Sequence, residues 1–151
     1  MTCKDVKIHI GETSSGDIRK HLLLCSDSFI PPLASRVDID EYAVKLSQKA
    51  VTFGAFDGKE LVGLVAAYFS VTQEGDAFIS NVSVTKEYSG TGLAHELLDL
   101  CINYAREHHF SGIVLEVAET NERAVRFYEN HGFRTLSKSG DQLRMKYSPM
   151  L

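Results

Sequence analysis

No apolar run in this chain is long enough to span a bilayer; the longest, from Leu61 to Val71, is short and interrupted. No basic, apolar and small-residue order opens the chain, so no secretory signal is visible and the cytoplasm is the expected compartment. Basic runs are missing too. The 16 Lys and Arg residues are scattered among 20 Asp and Glu, for a formal net charge of −4, which argues against nucleic acid as a partner. Cysteine is sparse: Cys3, Cys25 and Cys101 are odd in number, far apart and without metal-ligand spacing. Reduced thiols and no metal site are expected. No repeat, low-complexity tract or linker divides the 151 residues, so one domain, 1–151, is expected around one core.

What is present alternates between strand and helix signals. Val6 to Ile10 reads as a first strand. Thr13 to Ser15 offers caps for a helix with Ile18, His21, Leu22 and Cys25 on one face. Pro31 and Pro32 break the chain. Asp38, with Glu41 three residues on, opens a second helix with the stripe Ile39, Tyr42, Ala43 and Leu46. Runs at Val51–Phe56, Leu61–Val71 and Ala77–Val84, reversed at Asp57-Gly58 and Glu74-Gly75, predict an antiparallel meander. A helix carrying Leu93, Leu97, Leu100, Cys101 and Tyr104 follows, then a strand at Ile113–Val117, a helix from Asn121 to Asn130, and strands at Phe133–Leu136 and Gln142–Tyr147. Strand, helix and strand between residues 78 and 117 predict one parallel pair with a right-handed crossover.

Two phrases carry chemistry. The first is Ser89, Gly90, Thr91, Gly92, Leu93 and Ala94, after Val84 and Tyr88, at a strand-to-helix junction. Backbone N–H groups and the positive end of a helix dipole there suit an anion, most often a phosphate. A Walker loop is excluded because Gly92 is followed by Leu93 and Ala94 instead of Lys and Ser or Thr. A dinucleotide half-fold does not fit in the 57 residues left after Ala94. A helix start with two convenience glycines is the plain alternative. The second phrase is Asn121, Ala124, Phe127, Tyr128, Gly132 and Phe133. By itself it reads equally as an N-cap asparagine and a core tyrosine.

Together, in this order, the phrases resemble the coenzyme A cradle and catalytic tyrosine of the GNAT superfamily of N-acetyltransferases. The second fits Asn-x-x-Ala-x-x-Phe-Tyr-x-x-x-Gly-Phe throughout. The first fits Arg/Gln-x-x-Gly-x-Gly/Ala except that Ser89 stands where Arg or Gln is usual, which removes a side-chain donor. The resemblance covers about residues 50–136 and the first helices only loosely. It implies an α/β GNAT fold, with a mostly antiparallel sheet, one parallel pair and about four flanking helices. It also implies acetyl-CoA as cosubstrate and transfer to the primary amine of a small molecule by direct attack in a ternary complex. Main-chain groups of Val82, Ser83 and Val84 would meet the thioester and pantetheine, and Ser89 to Ala94 the pyrophosphate. Asn121 and Ala124 would receive the pantetheine arm, and Tyr128 would protonate the departing thiolate. A homodimer stays open.

The base is less legible. Many relatives carry a Glu in the strand before the glycine turn, but Phe78 to Val84 holds no carboxylate. Glu116 is the nearest strand-borne acid, with solvent exposure as its plain alternative, and Asp76 a weaker candidate. Ser80 or Asn81 could instead order a relaying water. His95 is a candidate ligand contact; His108 and His109, near a helix C-terminus, read as structural. In this family the first two helices and their loop wall the acceptor. Here that loop carries Asp27, Phe29 and Arg36 around the two prolines, with a surface salt bridge as the alternative for Arg36. The Phe-x-Pro-Pro-Leu phrase resembles stand-alone bacterial GNATs of surface-polysaccharide gene clusters, which points to an amino sugar. A non-catalytic acyl-CoA-binding regulator and a protein-lysine acetyltransferase are the rival functions.

Overall fold

The computed structural model describes residues 6–69 and 75–148. Alternation in the middle of the chain builds a sheet with two dressed faces. Along β3 (Glu60–Tyr68), Leu64 and Ala66 join one buried cluster while Val65 and Ala67 join the other, as the two-residue repeat of a strand requires. Helices α1 (Ser15–Cys25) and α2 (Ile39–Lys49) fill the first cluster with Ile18, Leu22, Ala43 and Leu46. Helix α3 (Leu93–Glu107) fills the second with Leu93, Leu97, Leu98 and Cys101. Among the described residues no helix is long and apolar enough to cross a membrane.

The remaining elements are β1 (Val6–Gly11), β2 (Val51–Asp57), β4 (Asp76–Val84), β5 (Gly112–Ala118), α4 (Glu122–Asn130), β6 (Arg134–Ser139) and β7 (Gln142–Tyr147). The sheet runs β1-β2-β3-β4-β5-β7-β6. All neighbours are antiparallel except β4 and β5, which are joined by the α3 crossover. This is the mixed architecture anticipated, with four α-helices among the described residues. Boundaries differ modestly. The third run ends at Tyr68, while Ser70, Val71 and the proposed reversal at Glu74 lie outside the described residues. The sixth strand starts at Arg134, after the buried Phe133, and continues to Ser139. The caps are local: Ser14 Oγ accepts from Asp17 N at 3.2 Å, and Asp38 Oδ1 from Glu41 N at 3.1 Å.

Two irregularities shape the site. Ala66 faces Asn81 but Ala67 faces Ile79, so Ser80 is an extra residue, a bulge in β4. It shifts the alternation: Ala77 and Ile79 face the α3 side, and so do Val82 and Val84. Asn81 and Ser83 are thereby turned towards α1. The second irregularity is the short parallel ladder, which pairs only Asp76 with Gly112, Ala77 with Ile113 and Phe78 with Val114.

Candidate active site

Beyond Phe78 and Val114, β4 and β5 part. Ile79 to Val84 on one strand and Leu115 to Ala118 on the other border a cleft of about 620 Å³. One end of the cleft is the glycine turn. Gly90 and Gly92 have φ of 80° and 88°, a left-handed backbone that a side chain would strain. Nothing lies within 4 Å of where a Cβ would stand on either. Gly92 is also the N-cap of α3, and no side chain caps that helix. Its first N–H groups are therefore offered to a ligand, and an anion is the ligand they suit. Ser89, Leu93 and Ala94 border the same end. Thr91 does not: its hydroxyl folds back onto the Tyr88 carbonyl at 2.6 Å, fixing the turn from inside. Tyr88 is tied down in its own right, donating to Asp57 Oδ2 at 2.7 Å.

Helix α4 closes the opposite wall. Asn121 caps it, its Oδ1 accepting from Ala124 N at 3.2 Å, which leaves the amide NH₂ for the cleft. Asn121, Ala124, Phe127 and Tyr128 all border the cavity. The Tyr128 hydroxyl makes no hydrogen bond among the described residues, and burial pushes it well above the usual tyrosine range. Phe127 packs between helices, 4.8 Å from His95 and 4.9 Å from His131 by ring centres. His95 borders the cleft and meets His131 Nε2 at 3.3 Å, so the sequence brought it to the ligand wall as one of its options. His108 bonds the Tyr104 carbonyl at 2.9 Å, a structural role as expected.

Glu116 borders the cleft, but its carboxylate reaches across the ladder to Arg144, at 3.1 Å, with both side chains about half exposed. The role expected of it as a base is weakened for that reason. Asp76 is held by Lys146 at 3.2 Å at the foot of the ladder and is not among the cleft's residues. On the acceptor wall, Phe29 and Arg36 border the cavity, and the Arg36 guanidinium carbon stands 6.0 Å from the Phe29 ring centre. Asp27 is a correction. In the short turn Ser26–Ser28 it is Ser26 that is buried, its Oγ accepting from Ala34 N at 3.0 Å, while Asp27 is turned to solvent away from the cavity.

Several site residues escaped the sequence reading. Tyr42, placed there on an apolar stripe, donates to the Ser80 carbonyl at 3.0 Å and meets Ser80 Oγ at 2.6 Å, bracing the bulge. Buried His21 bonds Leu61 O through Nδ1 at 3.0 Å and Ser83 Oγ through Nε2 at 2.9 Å. Burial lowers its pKa to about 4 against the opposing effect of the Leu61 and Ser83 backbone groups. Cys25 Sγ lies 3.7 Å from His21 Nε2 and borders the cleft, but burial raises the thiol to about 11. A histidine on an apolar helix face was the available signal for this cluster.

Among the described residues, the one parallel strand pair of the mixed sheet splays apart over an uncapped, glycine-led helix start. Residues 18–133 match the family model for "Acetyltransferase (GNAT) family". The chain belongs to that family. Streptothricin acetyltransferase A of Bacillus subtilis (strain 168) is 39% identical over 59 residues, covering 39% of this chain and 34% of that protein. The probable N-acetyltransferase camello of Xenopus tropicalis is 26% identical over 98 residues, covering 65% and 44%. The chain thus spans well under two thirds of the length of these curated relatives. Among solved structures, the PaiA N-acetyltransferase of Thermoplasma acidophilum in complex with coenzyme A superimposes with a TM-score of 0.73 at 17% identity, over 94% of this chain and 99% of that one. NAA60 of Arabidopsis thaliana with a bisubstrate analogue gives 0.76 at 20% identity, over 94% and 98%. At these identities the likeness is one of fold.

Proposed function

We propose that the chain is an acetyl-CoA-dependent N-acetyltransferase that moves the acetyl group to the primary amine of a small molecule. The observation that carries this is the continuity of one cleft from the uncapped start of α3 to the splayed edges of β4 and β5. Acetyl-CoA supplies the thioester when bound. The N–H groups after Gly92 would hold its pyrophosphate; Ser89 contributes backbone in place of the longer donor common in the family. Val82, Ser83 and Val84 present main chain to the pantetheine and the thioester carbonyl, in the way an oxyanion site is built from fixed dipoles. Asn121 and Ala124 border the arm's path.

The amine attacks the carbonyl directly. Direct attack needs no cysteine nucleophile, and burial pushes the Cys25 thiol up to about 11 and the Cys101 thiol to about 12, away from the thiolate form. Tyr128 holds its proton at neutral pH and would give it to the sulfur as the carbon–sulfur bond breaks, the phenol being restored by the proton that the nitrogen loses as the amide forms. Phe29 and Arg36 border the acceptor's side, and amino sugars remain among the amines to be tried. The non-catalytic regulator is the second reading; what favours it is Glu116, the cleft's acid, already paired with Arg144. Release of free thiol from acetyl-CoA, driven by members of an amine panel, separates the two. Binding of acetyl-CoA with no amine-dependent thiol release would support the regulator.

A further inference from the structure

The charges that face the cleft are one-sided. Among the described residues that border it, Glu116 is the single acid, and Arg144 neutralises it at 3.1 Å. The bases there are Arg36, Arg123 and His95. Arg123 and His95 belong to the α3–α4 end, where cofactor phosphates are proposed to lie. Arg36 belongs to the other end. It follows the short turn Leu33–Ser35, its backbone N–H bonded to Leu33 O at 3.0 Å, and its guanidinium stands over Phe29. Among the described residues it has no carboxylate partner.

Two observations place that cation by the reacting centre. Tyr42 is hydrogen-bonded to Ser80, the bulged residue where β4 leaves β5. Arg36 and Phe29 border the same cleft as Ser80. Ser80 in turn lies four strand residues from Val84, about 13 Å along β4 at ~3.3 Å per residue. A guanidinium there is a poor neighbour for an amine that arrives as a cation, and worse for a polyamine. It is a good neighbour for a carboxylate, which it holds through two parallel N–H bonds.

We propose that the acceptor is an amine bearing its own carboxylate, an amino acid, whose carboxylate is held by Arg36 over Phe29 while its amine reaches the splayed strands. This rests on the acetyltransferase reading above and adds the substrate class. With the acid turned outward at Asp27 and the one at Glu116 already paired, the described residues of the cleft offer no free carboxylate with which to hold a polycation.

The test compares matched pairs, glycine with glycinamide and β-alanine with β-alaninamide, at equal free-amine concentration. Glucosamine, spermidine and a neutral peptide amide complete the panel. Thiol release from acetyl-CoA is the readout. The acid of each pair should exceed its amide at least tenfold in kcat/KM and outrun the other amines. Arg36→Ala should bring each pair within about twofold and leave the acetyl-CoA Kd unchanged; Arg36→Lys should keep part of the preference. Amides used as well as acids, spermidine or glucosamine preferred, or a preference that survives in Arg36→Ala would each overturn the proposal. Should no amine turn over, calorimetry on the coenzyme A complex decides: N-acetylglycine should bind at least tenfold more tightly than N-acetylglycinamide, and equal or absent binding overturns it. Failure of acetyl-CoA itself to bind overturns the acetyltransferase reading, whereas cofactor binding without an acid preference overturns the substrate class alone.

Discussion

His21 Nε2 and Ser83 Oγ, 62 residues apart in sequence, lie 2.9 Å from each other in the buried seam between α1 and β4. The Leu61 carbonyl fixes Nδ1 as the nitrogen that carries the proton, so neutral His21 offers Nε2 as an acceptor. Ser83 has a single proton and two calls on it, since Asn81 Oδ1 is also within reach at 2.8 Å. A protonated His21 would donate from both nitrogens and release the Ser83 proton to Asn81. Burial opposes that state, which is why the pKa falls to about 4.

Stability should depend on this group below neutrality. The unfolded chain takes up the proton near 6.5 and the folded chain near 4, so the contribution is complete above about 6.5 and is lost as pH falls towards 4. By pH 5 the loss should reach roughly 2 kcal/mol. Urea midpoints for the wild-type chain and His21→Gln at pH 7 and pH 5 measure it. The wild type should drop by that amount more than the variant. Parallel shifts in the two proteins would mean that His21 is not the group being charged.

Gly92 tests the anion site. Gly92→Asp puts a side chain on a left-handed residue and a negative charge at the uncapped start of α3. Gly92→Asn carries similar bulk, tolerates that backbone better and has no charge. Acetyl-CoA affinity should fall at least tenfold in the aspartate variant, about 1.4 kcal/mol, against a helix-terminus interaction worth up to ~2. The asparagine variant should lose distinctly less. Calorimetry giving equal affinities for the folded aspartate variant and the wild type would remove the pyrophosphate from this turn.

What could be read from the sequence was local. Gly90 and Gly92 announce a left-handed turn, and Asn121, Asp38 and the residues near Ser14 announce helix starts, because each feature is settled within a few residues. What could not be read depends on register. The bulge at Ser80 exists only because Ala66 and Ala67 on another strand skip a residue. It decides that Ser83 faces His21 while Val82 and Val84 face α3. The Glu116–Arg144 pair requires β7 to insert between β5 and β6, an order that the sequence of strands does not imply. Asp27 and Phe29 sit two residues apart, yet only Phe29 reaches the cleft, because the intervening turn buries Ser26 and rotates its neighbour outward.

Tyr128→Phe removes the proton and keeps the ring. If the phenol protonates the leaving sulfur, kcat should fall by roughly 10²-fold or more with acetyl-CoA affinity nearly unchanged. Burial pushes the Tyr128 pKa well above the usual tyrosine range, so its ionisation should not appear in the pH profile. The wild-type rate should rise with pH as the amine loses its proton, without a falling limb below about pH 10, the reference value for an exposed tyrosine. Equal turnover in the variant would mean that water protonates the thiolate. A falling limb near neutrality that vanishes in the variant would mean the phenol ionises far more readily than its burial implies.

Glu116→Gln asks whether the chain needs a carboxylate base at all. The side chain is half exposed, and its Oε2 is bonded to Arg144 directly across the β5–β7 ladder. A carboxylate in that position is spent on its partner geometrically. General bases contribute about 10²- to 10⁴-fold when they are well placed. An exposed pair of this kind contributes only about 0–1 kcal/mol to stability, so the variant should fold normally. We therefore expect kcat to change less than about threefold in Glu116→Gln, far below the loss of a working base. The rising limb of the rate against pH should stay where it was, because solvent takes the amine's proton before attack. A loss of 10²-fold with that limb displaced would instead place Glu116 on the proton's path, with Arg144 as the residue that orients it.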